Sequence, residues 1–404
     1  MRALNLISKM VVMASLRSWK DSRLRIVDVN KTERCFGPRS DQQHLVTVNS
    51  NNVYRRLLFE GETGIGESYM AGEWSADDLP TFLGAAVHNA KALKLGGPLS
   101  TIKRIVDNLS HSRKSNSRSG SEQNIHAHYD LSNEFFQLFL DNTTLAYSCA
   151  IFGPDGSGNL ADAQIRKFDV ICRRLDLKPG SRVLEIGCGW GGFAVYAAKN
   201  FGCHVTGITI SKEQHTLATK RVEDEKLGDM VSIQYADYRD IKGTFDHIVS
   251  IEMFEAVGRE YWGQFFEICS QLLVPEGTML LQTIAIQDKD RHIPMRASGW
   301  ISKYIFPGGV LPAVAEIRDC LDQTGGNMCI SNERDISQHY VLTLNEWRRR
   351  FWNRIEDVRR IGFDNTFIRM WDFYLSACSG SFAAESIRDV QLFIENKPHH
   401  ADSR

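Results

Sequence analysis

From residue 181 onward, short apolar runs alternate with amphipathic stretches at near-regular spacing. The run at 181–186 ends in glycines, 193–200 has helical apolar spacing, and 204–210 is a second apolar run. Ser211 is placed to cap a charged helix that extends to about residue 226. Runs at 231–236, 245–251 and 278–286 predict three more strands, a helix at 261–273 separates the last two, and 390–395 predicts a final strand. Strand and helix in alternation predict an α/β fold with a doubly wound, mostly parallel, Rossmann-like sheet. Helical segments at 294–325 and 344–382 are too long for plain crossovers and are expected to form lid insertions.

Residues 1–109 mix short strand-like and helical segments, including the Gly-rich stretch GETGIGESYMAGEW at 61–74. They predict a small α+β domain that associates with lipid. SHSRKSNSRSGSEQ at 110–123 has no apolar periodicity and has linker composition. The sheet domain is expected over 124–397, with a tail at 398–404. It opens with NIHAHYDLSNEFFQLFL, where Asp130 or Ser132 can cap a helix carrying Phe135, Phe136, Leu138 and Phe139. The first 20 residues, MRALNLISKMVVMASLRSWK, are basic and place apolar residues on one helical face. A membrane-surface helix, a helix packed on its own domain and an organellar transit peptide all fit that pattern.

Composition narrows the class. A chain of 404 residues with 43% hydrophobic and 24% charged residues is long enough for two folded units with substantial cores. A net charge of −1 gives no reason to expect nucleic acid as a partner. The charge is uneven, however: residues 1–126 hold 18 Lys and Arg against 12 Asp and Glu, a bias that favours an anionic surface. The nine cysteines are scattered without a CxxC pair, which argues against a disulfide framework or a thiolate metal site and for a reducing compartment. No stretch approaches the roughly 20 apolar residues needed to span a bilayer. The expectation is a cytoplasmic protein peripherally associated with the membrane; a homodimer is left open.

The strongest local signal is VLEIGCGWGG at 183–192, an apolar strand with Glu185 before glycines at 187, 189 and 191. Such glycines let the chain turn sharply and bring backbone close to a ligand at the carboxyl edge of a sheet. A dinucleotide fold uses a similar turn to hold pyrophosphate. An acid just before the turn suits instead a ligand carrying an ammonium and a sulfonium, which points to S-adenosylmethionine. After the second strand, Thr209 and Gln214 can bond ribose hydroxyls, and Asp237 after the third can accept from an adenine amino group.

Together with this turn, the segments HYDLSNEFF (128–136), YSCAIF (147–152), MFEAVG (253–258), KYIFPGG (303–309) and YLSACSGSF (374–382) resemble the cyclopropane-fatty-acyl-phospholipid synthase family. The similarity runs from about residue 61 to 395. It implies a class I S-adenosylmethionine-dependent methyltransferase fold and addition of a methylene unit across the cis double bond of unsaturated phospholipid acyl chains. In that chemistry the alkene takes the methyl group and the resulting carbocation loses a proton as the ring closes. The resemblance extends the cofactor contacts to Tyr147, Ser148 and Tyr238. It also implies a bicarbonate ion as proton acceptor, held by Cys149 through its backbone and by Glu255, Gln282 and Tyr340, with Cys378 in the same site. Taken alone, Cys149 and Cys378 are equally small buried hydrophobes and neither is expected to be a nucleophile. Gln282 stands where the family has histidine and cannot relay a proton as histidine does.

LNEWRRRFWNRIEDVRR at 344–360 interleaves Trp347, Phe351 and Trp352 with arginines, fitting either a lipid contact or an arginine-coated helix with its aromatic side in the core. Two alternatives stand beside ring formation. One is methylation of the same double bond to a methyl-branched or methylidene lipid, kept open by Gln282; the other is a non-catalytic lipid-binding protein.

Overall fold

The computed structural model describes residues 2–93, 132–292, 299–325 and 327–396. The linker at 110–123 and the tail at 398–404 lie outside the described residues. By internal packing the chain divides into two units that interleave in sequence. One comprises Met1–Lys114, Ala297–Pro307 and Trp347–Ser386; the other comprises Ser115–Arg296, Gly308–Glu346 and Ile387–Arg404.

The first unit begins with helix α1 (Arg2–Ser15), strands β1 (Arg23–Val27), β2 (Glu33–Phe36) and β3 (Gln43–Val48), helix α2 (Asn52–Met70), strand β4 (Trp74–Ala76) and helix α3 (Leu79–Leu93). The strands form one sheet in the order β2-β1-β3-β4. Residues alternate between buried and more exposed along β3, as expected when one face of a sheet meets the core. The Gly-rich stretch at 61–74 is largely helical, with Gly61 at φ 58° marking a kink inside α2. Gly66 is a packing requirement, since a Cβ there would lie 2.3 Å from the Trp300 ring.

The second unit starts with the short helix Asn133–Gln137, capped by Ser132, whose Oγ accepts from Phe135 N. It continues through α4 (Leu160–Arg174), β5 (Arg182–Ile186), α5 (Gly192–Phe201), β6 (His204–Thr209), α6 (Lys212–Asp224), β7 (Val231–Tyr235), β8 (Phe245–Ile251), α7 (Trp262–Leu272) and β9 (Leu273–Ile286). Next come α8 (Val314–Asp322), β10 (Met328–Asp335), α9 (Ser337–Asn353), which passes into the first unit at Trp347, α10 (Asn365–Ala383), which belongs to the first unit, and β11 (Ile387–Asn396). Ser211 caps α6 as the sequence predicts, its side chain accepting from Gln214 N. The sheet order is β10-β11-β9-β8-β5-β6-β7. Strands β7, β6, β5, β8 and β9 are mutually parallel, whereas β11 is antiparallel to both β9 and β10. Apolar side chains fill both faces, with Phe265, Ile248 and Leu281 in one cluster and Phe193, Val205 and Leu280 in the other. Because β6 and β8 flank β5, the strand order reverses at β5, and its carboxyl end is the place where such sheets bind ligands.

In the first unit, the short helix Trp300–Tyr304 sets Trp300 against Phe373 of α10, with ring centroids 4.8 Å apart. Trp347 and Phe351 of α9 are buried, so the aromatic side of the arginine-rich segment points into the core. Asp372, 1% exposed, gathers three donors: Tyr69 Oη at 2.6 Å, Arg348 Nε at 2.7 Å and Trp352 Nε1 at 2.7 Å. A carboxylate is buried at tolerable cost only when its oxygens are satisfied in this way. Asp372→Ala leaves a phenol, an indole and a guanidinium without their shared acceptor. The expected loss is about 3 kcal/mol of stability. Denaturant titration followed by tryptophan fluorescence measures it, and an unchanged midpoint would contradict this role for Asp372.

Candidate active site

Glu185 is the penultimate residue of β5 and is buried, and its Oε2 has no hydrogen-bond partner among the described residues. Burial pushes its carboxyl well above the usual carboxylate range. An orphaned buried acceptor calls for a partner, which a water molecule or a ligand donor can supply. The turn that follows is left-handed at Gly187, Gly189 and Gly191. A Cβ on Gly189 would meet nothing within 4 Å, so this backbone faces open space.

Around the turn, Phe136 packs on Tyr147 and Trp190 with centroids 5.2 and 5.1 Å away. Arg221 of α6 donates to the carbonyl oxygens of Thr144 at 2.9 Å and Trp190 at 3.2 Å, tying the loop before Tyr147 to the glycine turn. Ser148 is pinned twice: its carbonyl accepts from Gln164 Nε2 at 2.8 Å and its hydroxyl from Lys167 Nζ at 2.5 Å. At the end of β6, Thr209 Oγ1 donates to Gln214 Oε1 at 2.8 Å, fixing the orientation of the Gln214 amide. The Asp237 carboxylate is engaged by Arg239 through Nε at 2.8 Å and Nη2 at 2.5 Å. Tyr238 packs edge-on to Phe265, and burial pushes its phenol up to about 12.

One strand over, Glu252 follows β8 as the glycine turn follows β5. Its Oε1 accepts from Cys149 N at 2.7 Å and Gln282 Nε2 at 2.8 Å, and its Oε2 from the Tyr340 hydroxyl at 2.5 Å. Three of the residues expected from sequence to share a site therefore do converge, and they converge on a carboxylate that sequence reasoning missed. Glu252 adopts φ 50°, a left-handed conformation that costs a non-glycine residue about 1–2 kcal/mol. Gln282 is oriented from behind by Gln391, its cross-strand partner on β11, which donates to Gln282 Oε1 at 3.0 Å. Asp389 is held well above the usual carboxylate range by burial and by the charges of Glu252 and Glu255.

Glu255 has separate partners: its Oε1 accepts from Ile284 N at 2.5 Å and Thr283 Oγ1 at 3.0 Å. Burial, reinforced by the charge of Glu252, pushes it up to about 7. The fully buried Lys167 was also missed. Burial lowers its pKa, while the charges of Glu252, Cys149 and Asp389 act to raise it. Burial holds the Cys149 thiol well above its ordinary value and pushes Cys378 up to about 12, so neither is a ready thiolate. Cys378 lies on α10 in the first unit and the Glu252 cluster in the second. The available signal for Glu252 was an acid ending an apolar strand, the same feature that singles out Glu185. Lys167, one cation on an amphipathic helix, carries no such signal. The two edges meet, because a Cβ on Gly187 would lie 2.7 Å from the Met253 side chain. The glycine turn after β5 and the acid cluster after β8 thus share one wall.

Known proteins carry the same framework. The family described as mycolic acid cyclopropane synthetase matches residues 116–392. The chain is 39% identical over 334 residues to tuberculostearic acid methyltransferase UfaA1 of Mycobacterium tuberculosis, covering 81% of this chain and 77% of that one. It is 38% identical over 354 residues to the cyclopropane-fatty-acyl-phospholipid synthase of Escherichia coli, covering 86% of each. Among solved structures, the cyclopropane synthase MmaA2 from Mycobacterium tuberculosis aligns with a TM-score of 0.63 at 30% identity, over 68% of this chain and 98% of that one. Mycolic acid cyclopropane synthase CmaA1, crystallised with SAH and CTAB, gives the same values. With the family matched across most of its length and the ligand-binding edge of the sheet assembled as such a fold requires, the chain belongs to the cyclopropane synthase family of S-adenosylmethionine-dependent methyltransferases.

Proposed function

We propose that the protein transfers a one-carbon unit from S-adenosylmethionine to the cis double bond of unsaturated phospholipid acyl chains and closes a cyclopropane ring. The observation that carries this reading is the shared wall between the glycine turn after β5 and the acid cluster after β8, since ring formation needs a methyl donor and a proton acceptor side by side. When bound, S-adenosylmethionine supplies an electrophilic methyl group. Glu185 offers its orphaned oxygen to the cationic part of the ligand, and the backbone at 187–191 allows close approach. Thr209 and Gln214 take the ribose side, Asp237 and Tyr238 the adenine side, and Tyr147 and Ser148 close the site from the loop. Positioning the alkene in line with the methyl group supplies much of the rate, and exclusion of water keeps the carbocation from becoming an alcohol.

A second reading is methylation of the same acyl double bond without ring closure. It is favoured by the similarity to a tuberculostearic acid methyltransferase and by Gln282, which has no titratable group. Either reaction needs access to lipid. Helix α1 exposes Leu4, Leu6, Ile7, Met10 and Val11, each 41–66% accessible, while Ser8, Val12 and Met13 are buried. An apolar face of this kind suits insertion at a lipid surface, aided by the basic character of the N-terminal region. Among the described residues, no helix is long and apolar enough to cross a membrane.

Three outcomes test these proposals. Gly189→Val places a side chain in the open space at the turn and is expected to abolish S-adenosylmethionine binding by isothermal titration while the fold persists by circular dichroism. Unchanged affinity would remove the turn from the site. Mass spectrometry of lipids from cells expressing the protein is expected to find unsaturated phospholipid chains heavier by one methylene and co-eluting with cyclopropane standards. Co-elution with methyl-branched or methylidene standards would select the second reading. Vesicle binding is expected to strengthen with anionic lipid and weaken with salt, given a Debye length of about 8 Å at physiological ionic strength. It should fall when Leu6, Ile7 and Met10 are changed to serine; equal binding by that variant would exclude α1 as the contact.

A further inference from the structure

We propose that Glu252 is the base of the reaction, the chain's own carboxylate standing where the resemblance puts a bound bicarbonate. The inference rests on the one-carbon transfer proposed above. The residues that would hold the ion do not fit an additional anion, because their donors are spent. Cys149 N and Gln282 Nε2 serve Glu252 Oε1, and the Tyr340 hydroxyl serves Oε2. Glu252 thus offers the same planar pair of acceptor oxygens as the ion, from a covalent tether.

Gln282 is matched to this arrangement. Its carbonyl oxygen is fixed by Gln391, its amide nitrogen reaches Glu252 at 2.8 Å, and the same nitrogen donates to Asp389 Oδ2 at 3.2 Å. An amide held in this way orients a carboxylate without exchanging protons with it. The backbone gives an independent indication. Position 252 has φ 50°, where glycine is the unstrained choice, yet the chain places a long acidic side chain there. Strain retained at a cleft is a mark of function. Glu252 is also only partly buried, unlike Asp389, so it has a side open to a reacting group and a route for releasing a proton.

The step balances. The alkene π pair forms a carbon–carbon bond to the transferred methyl as the sulfur keeps the pair of the breaking sulfur–carbon bond. A carbon–hydrogen pair of that methyl then closes the ring on the cationic carbon, and its proton passes to the Glu252 carboxylate. The sulfonium charge and the carboxylate charge are extinguished together, and no oxidant, reductant or further ion is consumed.

The test compares the full-length protein with Glu252→Gln and Glu252→Gly, each supplied with unsaturated phospholipid vesicles and S-adenosylmethionine. Wild-type turnover is expected to be unchanged when bicarbonate and carbon dioxide are stripped from the buffer. Glu252→Gln is expected to lose about 100-fold or more, since a positioned base contributes roughly 10²–10⁴, with S-adenosylmethionine affinity by isothermal titration unaltered. Glu252→Gly vacates the space among the three donors and is expected to fall similarly, then to recover with added bicarbonate. Labelled bicarbonate is expected to register as bound by ¹³C NMR in that variant and not in the wild type. Wild-type dependence on bicarbonate, or wild-type turnover by Glu252→Gln, would overturn the proposal while leaving the transfer reaction intact. A wild type that forms no modified lipid at all would instead bring down the functional reading, and this base with it.

Discussion

Four carboxyl groups, Glu185, Glu252, Glu255 and Asp389, stand at one edge of the second unit's sheet, and the cost of desolvating them governs what that edge can be. An isolated carboxylate moved into a low-dielectric interior loses tens of kcal/mol of solvation, so each group must find donors, lose its charge or keep contact with water or ligand. The sheet distributes these solutions by strand. Glu252 receives three donors, Glu255 takes a backbone amide and a hydroxyl from β9, and Asp389 is pushed toward its neutral form. Glu185 keeps one oxygen without a partner among the described residues. Lys167, buried among them, is the counter-charge that electrostatically links Glu185 and Glu252.

The same constraint governs the chemistry. A second anion about 4 Å from a charged Glu252 would meet a repulsion of roughly 4 kcal/mol at an effective dielectric constant near 20. On the proposal that Glu252 is the base, that repulsion disfavours a second small anion beside it. Gln282 suits that proposal, since its amide supports a fixed acceptor without taking a proton from it.

Much of the sheet was legible because its central parallel strands, β5 and β6, are largely buried and appear as short apolar runs. The strand at 245–251 and the cap at Ser211 match the sequence reading, and β6 and α5 differ from it by a residue or two. β10 escaped notice because MCISNERD lies on the edge of the sheet and is only partly covered, so its pattern is polar. β9 begins at Leu273, earlier than expected, since Pro275 and Gly277 look like a turn in sequence. The Gly-rich stretch at 61–74 was assigned no element from sequence, and packing against Trp300 explains Gly66 inside a helix. Cys149, Gln282 and Tyr340 were gathered by resemblance. Glu252 was not: it shares with Glu185 the signal of an acid ending an apolar strand, but its convergence with Cys149, Gln282 and Tyr340 depends on strand register, which one sequence does not display.

The interleaving of the two units has a consequence for how this chain can be cut. Boundaries at Lys114/Ser115, Arg296/Ala297, Pro307/Gly308, Glu346/Trp347 and Ser386/Ile387 mean that neither unit is one continuous segment. Trp300 and Phe373, encoded in the latter half of the gene, find Gly66 and Tyr69 of the N-terminal segment in the core of the first unit. Removing the first hundred or so codons would therefore take from Asp372 its Tyr69 donor and from Trp300 and Phe373 the helix they pack on, so the late helices of this unit would be left with faces built for a partner that the same cut discards.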